Sequence, residues 1–457
     1  MTNSVQAARP DRLPFNQLLF YALPGLPLAA LTLPIYIYLP AFYAQDLGLG
    51  LTVVGGILLF ARLFDVVSDP LVGFFSDRIA FRWGRRKSWI VVGVPLIVVA
   101  IYLLFVPPEA VGAGYLLGWT LALYVGWTLV LLPYTAWGAE LSGNYNERTR
   151  VVGAREACVV LGTVLAAALP AVLPEVMDVV GSGKAETLYV LAIFVGIGLP
   201  ATMLLALARV PEPRVRSVTA INLRQGLRLI WRNGPFRRLL LAYLLNGTAN
   251  GFTATLFLLF VENVLATPEQ AGLLLLVYFL CGVLSVPLWL RISYRFGKHR
   301  SWSVGMAVTC LFFAAVPFLG PGDVWPFMVV CILTGFCLGA DLALPASMQA
   351  DVVDLDTLRS GSQRTGLYFA LWSMATKLAL ALAVGLAFPL LDLAGFEAAG
   401  DNDAGALLAL SLLYGGAPIV IKLCSIAFIW GYPIDAKRQA RLRARIDRRA
   451  AAQAAAG

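Results

Sequence analysis

Apolar residues along this chain come in near-continuous stretches of about 20, separated by short polar segments, rather than with the short periods of a water-facing helix or strand. Inside hydrocarbon a helix satisfies its own backbone hydrogen bonds, so each stretch predicts a transmembrane helix; a β-barrel would alternate over segments of about 10 residues instead. The predicted spans are 18–43, 52–76, 88–107, 113–140, 150–174, 187–209, 237–260, 268–290, 301–319, 324–350, 365–391 and 405–431. They describe an all-α integral membrane protein with twelve transmembrane helices. The first span is too long for a signal-peptide core and lacks a cleavage site, so it is expected to stay as a signal anchor.

Composition agrees with that pattern. Of the 457 residues, 59% are hydrophobic and 13% charged, and the mean hydropathy is +0.78, so lipid is the solvent for most of the chain. The net charge of +9 raises nucleic acid as a partner, but the placement of the cations argues against it. Segments predicted to be cytoplasmic, together with the cytoplasmic ends of the spans flanking them, hold 31 of the 35 Lys and Arg; Arg62, Lys377 and Lys422 fall deeper within spans, and Lys184 alone falls outside. This asymmetry puts both termini in the cytoplasm of an inner (plasma) membrane protein, and the basic loops report topology and contact with anionic lipid. The six cysteines, Cys158, Cys281, Cys310, Cys331, Cys337 and Cys424, lack metal or redox spacing and read as small apolar residues.

Two basic loops resemble each other. Arg82-Trp83-Gly84-Arg85-Arg86-Lys87-Ser88-Trp89 and Arg295-Phe296-Gly297-Lys298-His299-Arg300-Ser301-Trp302 lie 213 positions apart, and the acids Glu140 and Asp351, ending the fourth and tenth spans, lie 211 apart. The chain therefore divides into a six-helix half at 1–209, a cytoplasmic linker at 210–236, a second six-helix half at 237–431 and a basic tail at 432–457. Parallel six-span repeats around a central cavity are a transporter arrangement. Gly84 and Gly297 would supply the turns, and the tail from Lys437 to Arg449 predicts a short helix at the inner surface.

An ionisable residue deep in a span costs about 2.5 kcal/mol or more, which makes each one a functional candidate. Asp65 and Asp69 share a helical face about 18 and 12 Å from the cytoplasmic end near Asp77, where two carboxylates either share a proton or hold a hard cation. Arg62, one turn from Asp65, offers a buried structural ion pair as the alternative. Lys377 and Asp341 lie about 18 and 15 Å from the ends of their own spans, at a level where Lys377 could neutralise the carboxylates when no cation is bound. Asp77 and Arg78 read as surface and gate charges, and Lys422 as a side chain snorkelling to the inner interface.

Asn246-Gly247-Thr248-Ala249-Asn250-Gly251 reads as a break in the seventh span that lines a cavity, with small-residue helix packing as the alternative. Tyr124, Trp127, Tyr368 and Trp372 are candidate aromatic walls for a substrate, with Thr128 among them, although aromatics in spans also serve plain packing. The one histidine, His299, lies in a predicted loop, and no metal-ligand cluster or nucleophile and base pair accompanies it, so an enzyme is not expected.

Together, Asp65 through Arg78 with Trp83-Gly84-Arg85, Pro133-Tyr134, Glu140-Leu141, Glu147-Arg148-Thr149-Arg150, Ala350-Asp351-Val352-Val353-Asp354, Arg364-Thr365-Gly366-Leu367-Tyr368-Phe369 and Lys377 resemble the glycoside-pentoside-hexuronide:cation symporters, the melibiose-permease-like branch of the major facilitator superfamily. The resemblance covers nearly the whole chain and implies the major facilitator fold. It also implies a cation site formed by Asp65 and Asp69 with the Thr128 hydroxyl, and Lys377 beside it. Relatives that carry galactosides hold the sugar with two aspartates whose positions are Ala29 and Leu131 here, and Ser68 stands where sodium-using relatives often have Asn.

The reading that follows is a symporter coupled to sodium or protons, using no other cofactor, for a sugar or glycoside-like small-molecule substrate and working by alternating access. An amphiphilic or lysolipid-like substrate is the alternative within transport, favoured by the apolar first span, and a membrane receptor or scaffold is the alternative outside it. Asn246 and Asn250 join the aromatic residues as candidate substrate contacts, Arg62 and Asp341 join Lys377 in coupling, and a monomer is expected.

Overall fold

The computed structural model describes residues 12–32, 35, 38–79, 84–108, 111–177, 184–212, 223–360, 364–396 and 402–456, all of them in helices or the turns between them apart from a bridge residue at Gly84. Arg82 and Trp83 of the first basic loop, and residues 213–222 of the linker, lie outside this set.

The first predicted span is not one helix. It consists of α1 (Phe15–Ala22), α2 (Gly25–Ala30), and α3 (Leu39–Ala41) running into a wide turn at Phe42–Asp46. Pro24, Pro27 and Pro40 each remove a backbone donor, which hydropathy alone does not register. Next come α4 (Leu51–Arg78), α5 (Lys87–Phe105), α6 (Ala113–Leu141), α7 (Tyr145–Met177) and α8 (Lys184–Arg209). After the linker, α9 (Leu223–Trp231) precedes α10 (Gly234–Asn263), α11 (Ala271–Phe296), α12 (Lys298–Phe313), α13 (Val324–Ser360) and α14 (Thr365–Leu393). The chain ends with α15 (Ala404–Ser411), a wide turn at Leu412–Gly416, α16 (Ala417–Ile429) and α17 (Ala436–Ala456).

Nine helices among the described residues are long and apolar enough to cross a membrane by length and composition. The broken first segment, α4 of 28 residues and α7 of 33 occupy the remaining predicted positions. The tail helix α17, at 21 residues, is longer than the short helix expected. His299 is the second residue of α12 rather than part of a loop.

The chain forms two compact units. The first comprises Met1–Leu223, Val353–Leu371 and Ala440–Gly457; the second comprises Arg224–Val352 and Trp372–Gln439. Within the first, α5 and α6 approach closely because small residues face each other. A side chain on Gly93 would come within 3.0 Å of the Gly126 carbonyl, and one on Gly162 within 2.1 Å of the Leu26 carbonyl. Tyr21, Tyr134 and Trp137 form its buried aromatic centre, the first two rings 4.9 Å apart. In the second unit the centre is aromatic as well, with Phe260 stacked on Tyr414 at 4.6 Å and Phe327 beside both.

The predicted break at 246–251 is corrected: α10 runs unbroken through it. A side chain on Gly247 would meet the Ala379 Cβ at 3.0 Å and one on Gly251 the Ala383 Cβ at 2.5 Å, so the glycines serve close packing of α10 on α14.

Candidate functional site

Asp65 and Asp69 lie one turn apart on α4 and are buried, 2% and 1% exposed. α4 packs on α6, which brings the buried Thr128 hydroxyl oxygen to 3.0 Å from Asp65 Oδ1 and 3.1 Å from Asp69 Oδ1. A hydroxyl carries one proton and can donate it to one carboxylate at a time. Two carboxylate oxygens converging on one hydroxyl oxygen in a low-dielectric setting therefore favour a shared proton or a bound cation. Next to Asp69, Pro70 has no N–H to donate to the Val66 carbonyl, so a further backbone oxygen in this turn lacks its usual helical donor. Among the described residues, no group of three or more His, Cys, Asp and Glu is placed to hold a metal ion. Two carboxylates and a hydroxyl suit a monovalent cation or a proton.

The other candidates divide. Ser68 is turned back along its helix and donates to the Asp65 backbone carbonyl at 3.1 Å, so its hydroxyl is not shown on the carboxylates. Arg62 is half-buried on the same helix. Tyr124, one turn before Thr128, is buried, and Trp127 packs partly buried against the core of the first unit. Tyr368 is buried in the first unit, whereas Trp372, one turn on in the same helix, belongs to the second and stacks on Tyr243 at 3.8 Å. Lys377 follows in the second unit and is half-buried.

Asp341, Asn246 and Asn250 are brought together by a residue the sequence reading placed elsewhere. The expectation that Lys422 snorkels to the interface is corrected: it is 1% exposed, and its ammonium donates to Asn246 Oδ1 and Asn250 Oδ1, each at 2.7 Å. Asp341 Oδ2 stands 3.7 Å from the same nitrogen. Lys422 stands nine positions before the predicted end of its span at 431, about 14 Å along a helix, well beyond the reach of a lysine stem. That depth was the available signal.

Asp77 is also corrected. It is buried, and its carboxylate accepts from the backbone N–H of Gly366 at 2.8 Å and of Leu367 at 3.0 Å, capping α14 where the positive end of the helix dipole favours an anion. Arg86 donates to Asp77 at 2.6 Å and to Glu140 at 2.7 Å, while Arg85 reaches Glu140 at 2.8 Å. Burial works against charge on Arg86, but the Glu140 and Asp77 carboxylates outweigh it and hold the guanidinium above the ordinary arginine range. In the second unit Lys298 pairs with Asp351 at 2.6 Å, the counterpart of Arg85 with Glu140 in the repeat. Gly84 and Gly297 adopt φ of +115° and +86°, the left-handed turns expected of them.

Comparison with known proteins agrees with this architecture. Solved structures similar to the chain include a major facilitator superfamily transporter, FucP, in the outward conformation (TM-score 0.66, 13% identity, covering 90% of this chain and 98% of that one). A bacterial homologue of the iron transporter ferroportin in the outward-facing state is also similar (TM-score 0.63, 16% identity, 90% and 98% covered). At such identity the likeness establishes the fold alone, the all-helical major facilitator fold. By sequence, the sodium-dependent lysophosphatidylcholine symporter 1 of Homo sapiens is 27% identical over 84% of this chain and 76% of that protein. Its Gallus gallus counterpart is 24% identical over 94% and 88%, and the sphingosine-1-phosphate transporter MFSD2B of Xenopus tropicalis is 25% identical over 84% and 82%. The sequence profile of the MFS/sugar transport proteins matches residues 20–436, nearly the whole chain, so this multi-pass membrane protein belongs to that transport family of the major facilitator superfamily and is not an enzyme.

Proposed function

We propose that the protein is a sodium-coupled symporter for an amphiphilic, lysophospholipid-like substrate, working by alternating access. The observation that carries the coupling is the convergence of the Asp65 and Asp69 carboxylates on the Thr128 hydroxyl, two buried like charges whose repulsion a bound cation relieves. Occupancy then biases which conformation is stable, because two like charges this close in hydrocarbon are costly. Lys377, Arg62 and Asp341 remain the candidate coupling residues.

For the substrate, the relatives named for lysophosphatidylcholine support an amphiphile over the sugar or glycoside-like solute. Within this chain, Ala29 and Leu131 occupy the positions where the galactoside carriers hold sugar hydroxyls with carboxylates, which leaves no charged grip for a polyol there. Tyr124 and Trp127, and separately Tyr368 and Trp372, are the candidate aromatic contacts for an acyl chain. We place the protein as a monomer in the inner (plasma) membrane with both termini cytoplasmic.

The test is uptake into proteoliposomes of lysophosphatidylcholine and of a panel of sugars and uronides, under sodium or proton gradients, with Asp65→Asn and Asp69→Asn as comparisons. Lysolipid uptake driven by sodium and lost in both variants is the expected result. Sugar uptake would return the substrate to the glycoside class, a proton-driven signal would reassign the ion, and uptake unchanged in the variants would remove the carboxylates from the mechanism.

A further inference from the structure

Asp341, one of the candidate coupling residues, belongs in the second unit to a largely buried cluster of its own. Lys422 of α16 extends its ammonium between Asn246 and Asn250 of α10 and Asp341 of α13. The oxygens around it are oriented by other groups. Trp302 Nε1–H donates to Asp341 Oδ1 at 2.6 Å and Asn250 Nδ2 donates to Asp341 Oδ2 at 3.1 Å. With its nitrogen committed to Asp341, the Asn250 amide necessarily turns its oxygen towards Lys422.

The distances distinguish this arrangement from an ordinary ion pair. The two neutral amide oxygens are the close contacts at 2.7 Å, and the carboxylate stands back at 3.7 Å, beyond hydrogen-bond range. A lysine recruited only to neutralise Asp341 would be expected to touch it, as Lys298 touches Asp351 at 2.6 Å. Here the ammonium is solvated by amide and carboxylate oxygens from two helices, the ligand types that hold hard cations, while its stem enters from a third.

We propose that Lys422 is a built-in cation occupying an oxygen-lined cation pocket of the second unit, and that removing its side chain opens the pocket to a small monovalent cation such as sodium or methylammonium. The contrast with a free cation at Asp65 and Asp69 rests on the coupling reading above; the pocket itself does not. Its consequence is stoichiometric: the native second unit takes up no free cation at this place, and an emptied one does.

The experiment uses the purified full-length protein carrying Asp65→Asn and Asp69→Asn, which silences the first unit's carboxylates. Sodium and methylammonium binding are measured by titration calorimetry and by thermal unfolding, before and after adding Lys422→Ala. The expected result is saturable binding only after Lys422→Ala, with unfolding temperature raised by about 2 °C or more, and loss of both when Asp341→Asn is added. Where Lys422→Ala does not fold in plain buffer, its recovery by methylammonium or sodium during solubilisation is the supporting result, with Lys422→Met/Asp341→Asn as the folding control. A folded Lys422→Ala that binds neither cation overturns the proposal, as does failure of both to recover an unfolded one, or binding that persists with Asp341→Asn. Sodium binding by the native chain is measured separately; its absence would sink the coupling reading and leave the pocket standing.

Discussion

Arg85 pairs with Glu140 in the first unit as Lys298 pairs with Asp351 in the second, at matching positions of the repeat and at nearly the same distance, 2.8 and 2.6 Å. Deeper in the helices the likeness stops. The first unit sets two carboxylates around one hydroxyl, whereas the second sets one carboxylate and two amides around a lysine. The helix ends thus share one solution, a short ion pair, and the interiors differ. The second interior holds a lysine ammonium among its oxygens, and the first brings two carboxylates onto one hydroxyl.

The widest expected effect tests that contrast in the second unit. Lys422→Met leaves two amide oxygens and the half-buried Asp341 carboxylate without their ammonium and should lower stability by about 3–5 kcal/mol, seen as a fall in unfolding temperature in detergent; adding Asp341→Asn should recover most of the loss. Full stability in the single variant would mean that the cluster is not tightly held.

At the helix ends, Glu140→Gln removes a carboxylate shared by Arg85 and Arg86, whereas Asp351→Asn removes one paired with Lys298. Both should destabilise by about 3 kcal/mol, Glu140→Gln the more. Equal effects would indicate that Arg86 is held adequately by Asp77.

In the first unit the readout is transport. Asp65→Asn and Asp69→Asn should reduce gradient-driven uptake by about 5–150-fold, the usual range of a coupling energy, without the stability loss of Lys422→Met. A variant that unfolds instead would make the carboxylates structural.

The smallest effects separate the two hydroxyls. Thr128→Val keeps the shape and removes the group between the carboxylates, so cation affinity should fall about tenfold, roughly 1.4 kcal/mol. Ser68→Ala, whose hydroxyl bonds its own helix, should change affinity by less than about 0.5 kcal/mol. Reversal of that order would move the site by a turn along α4.

The hydrophobic pattern was enough for the membrane class and most helices, because lipid imposes a long apolar run on every span. That Asp65 and Asp69 share a face follows from their spacing on one helix, and the family resemblance, not the pattern, brought Thr128 to them. The pattern did not reveal the fragments of the first span, where three prolines act on backbone donors that a hydropathy average ignores. Nor did it reveal that Gly247 and Gly251 allow close packing rather than break a helix, because a glycine reads alike in both settings until its neighbour, here Ala379 or Ala383, is known.

Charge pairing was the property least accessible to sequence. Asp77 looks like a surface residue at a helix end, and its burial follows from the N-terminus of α14, 289 positions away, arriving on its carboxylate. Lys422 looks like a candidate for snorkelling until Asn246 and Asn250, more than 170 positions earlier, are seen to hold its ammonium. Sequence by itself determined what must lie in the membrane and which charges are expensive there. Only the tertiary structure decided their partners, because the energy of a buried charge depends on atoms within a few ångströms of it, and those come from helices that sequence separation does not relate.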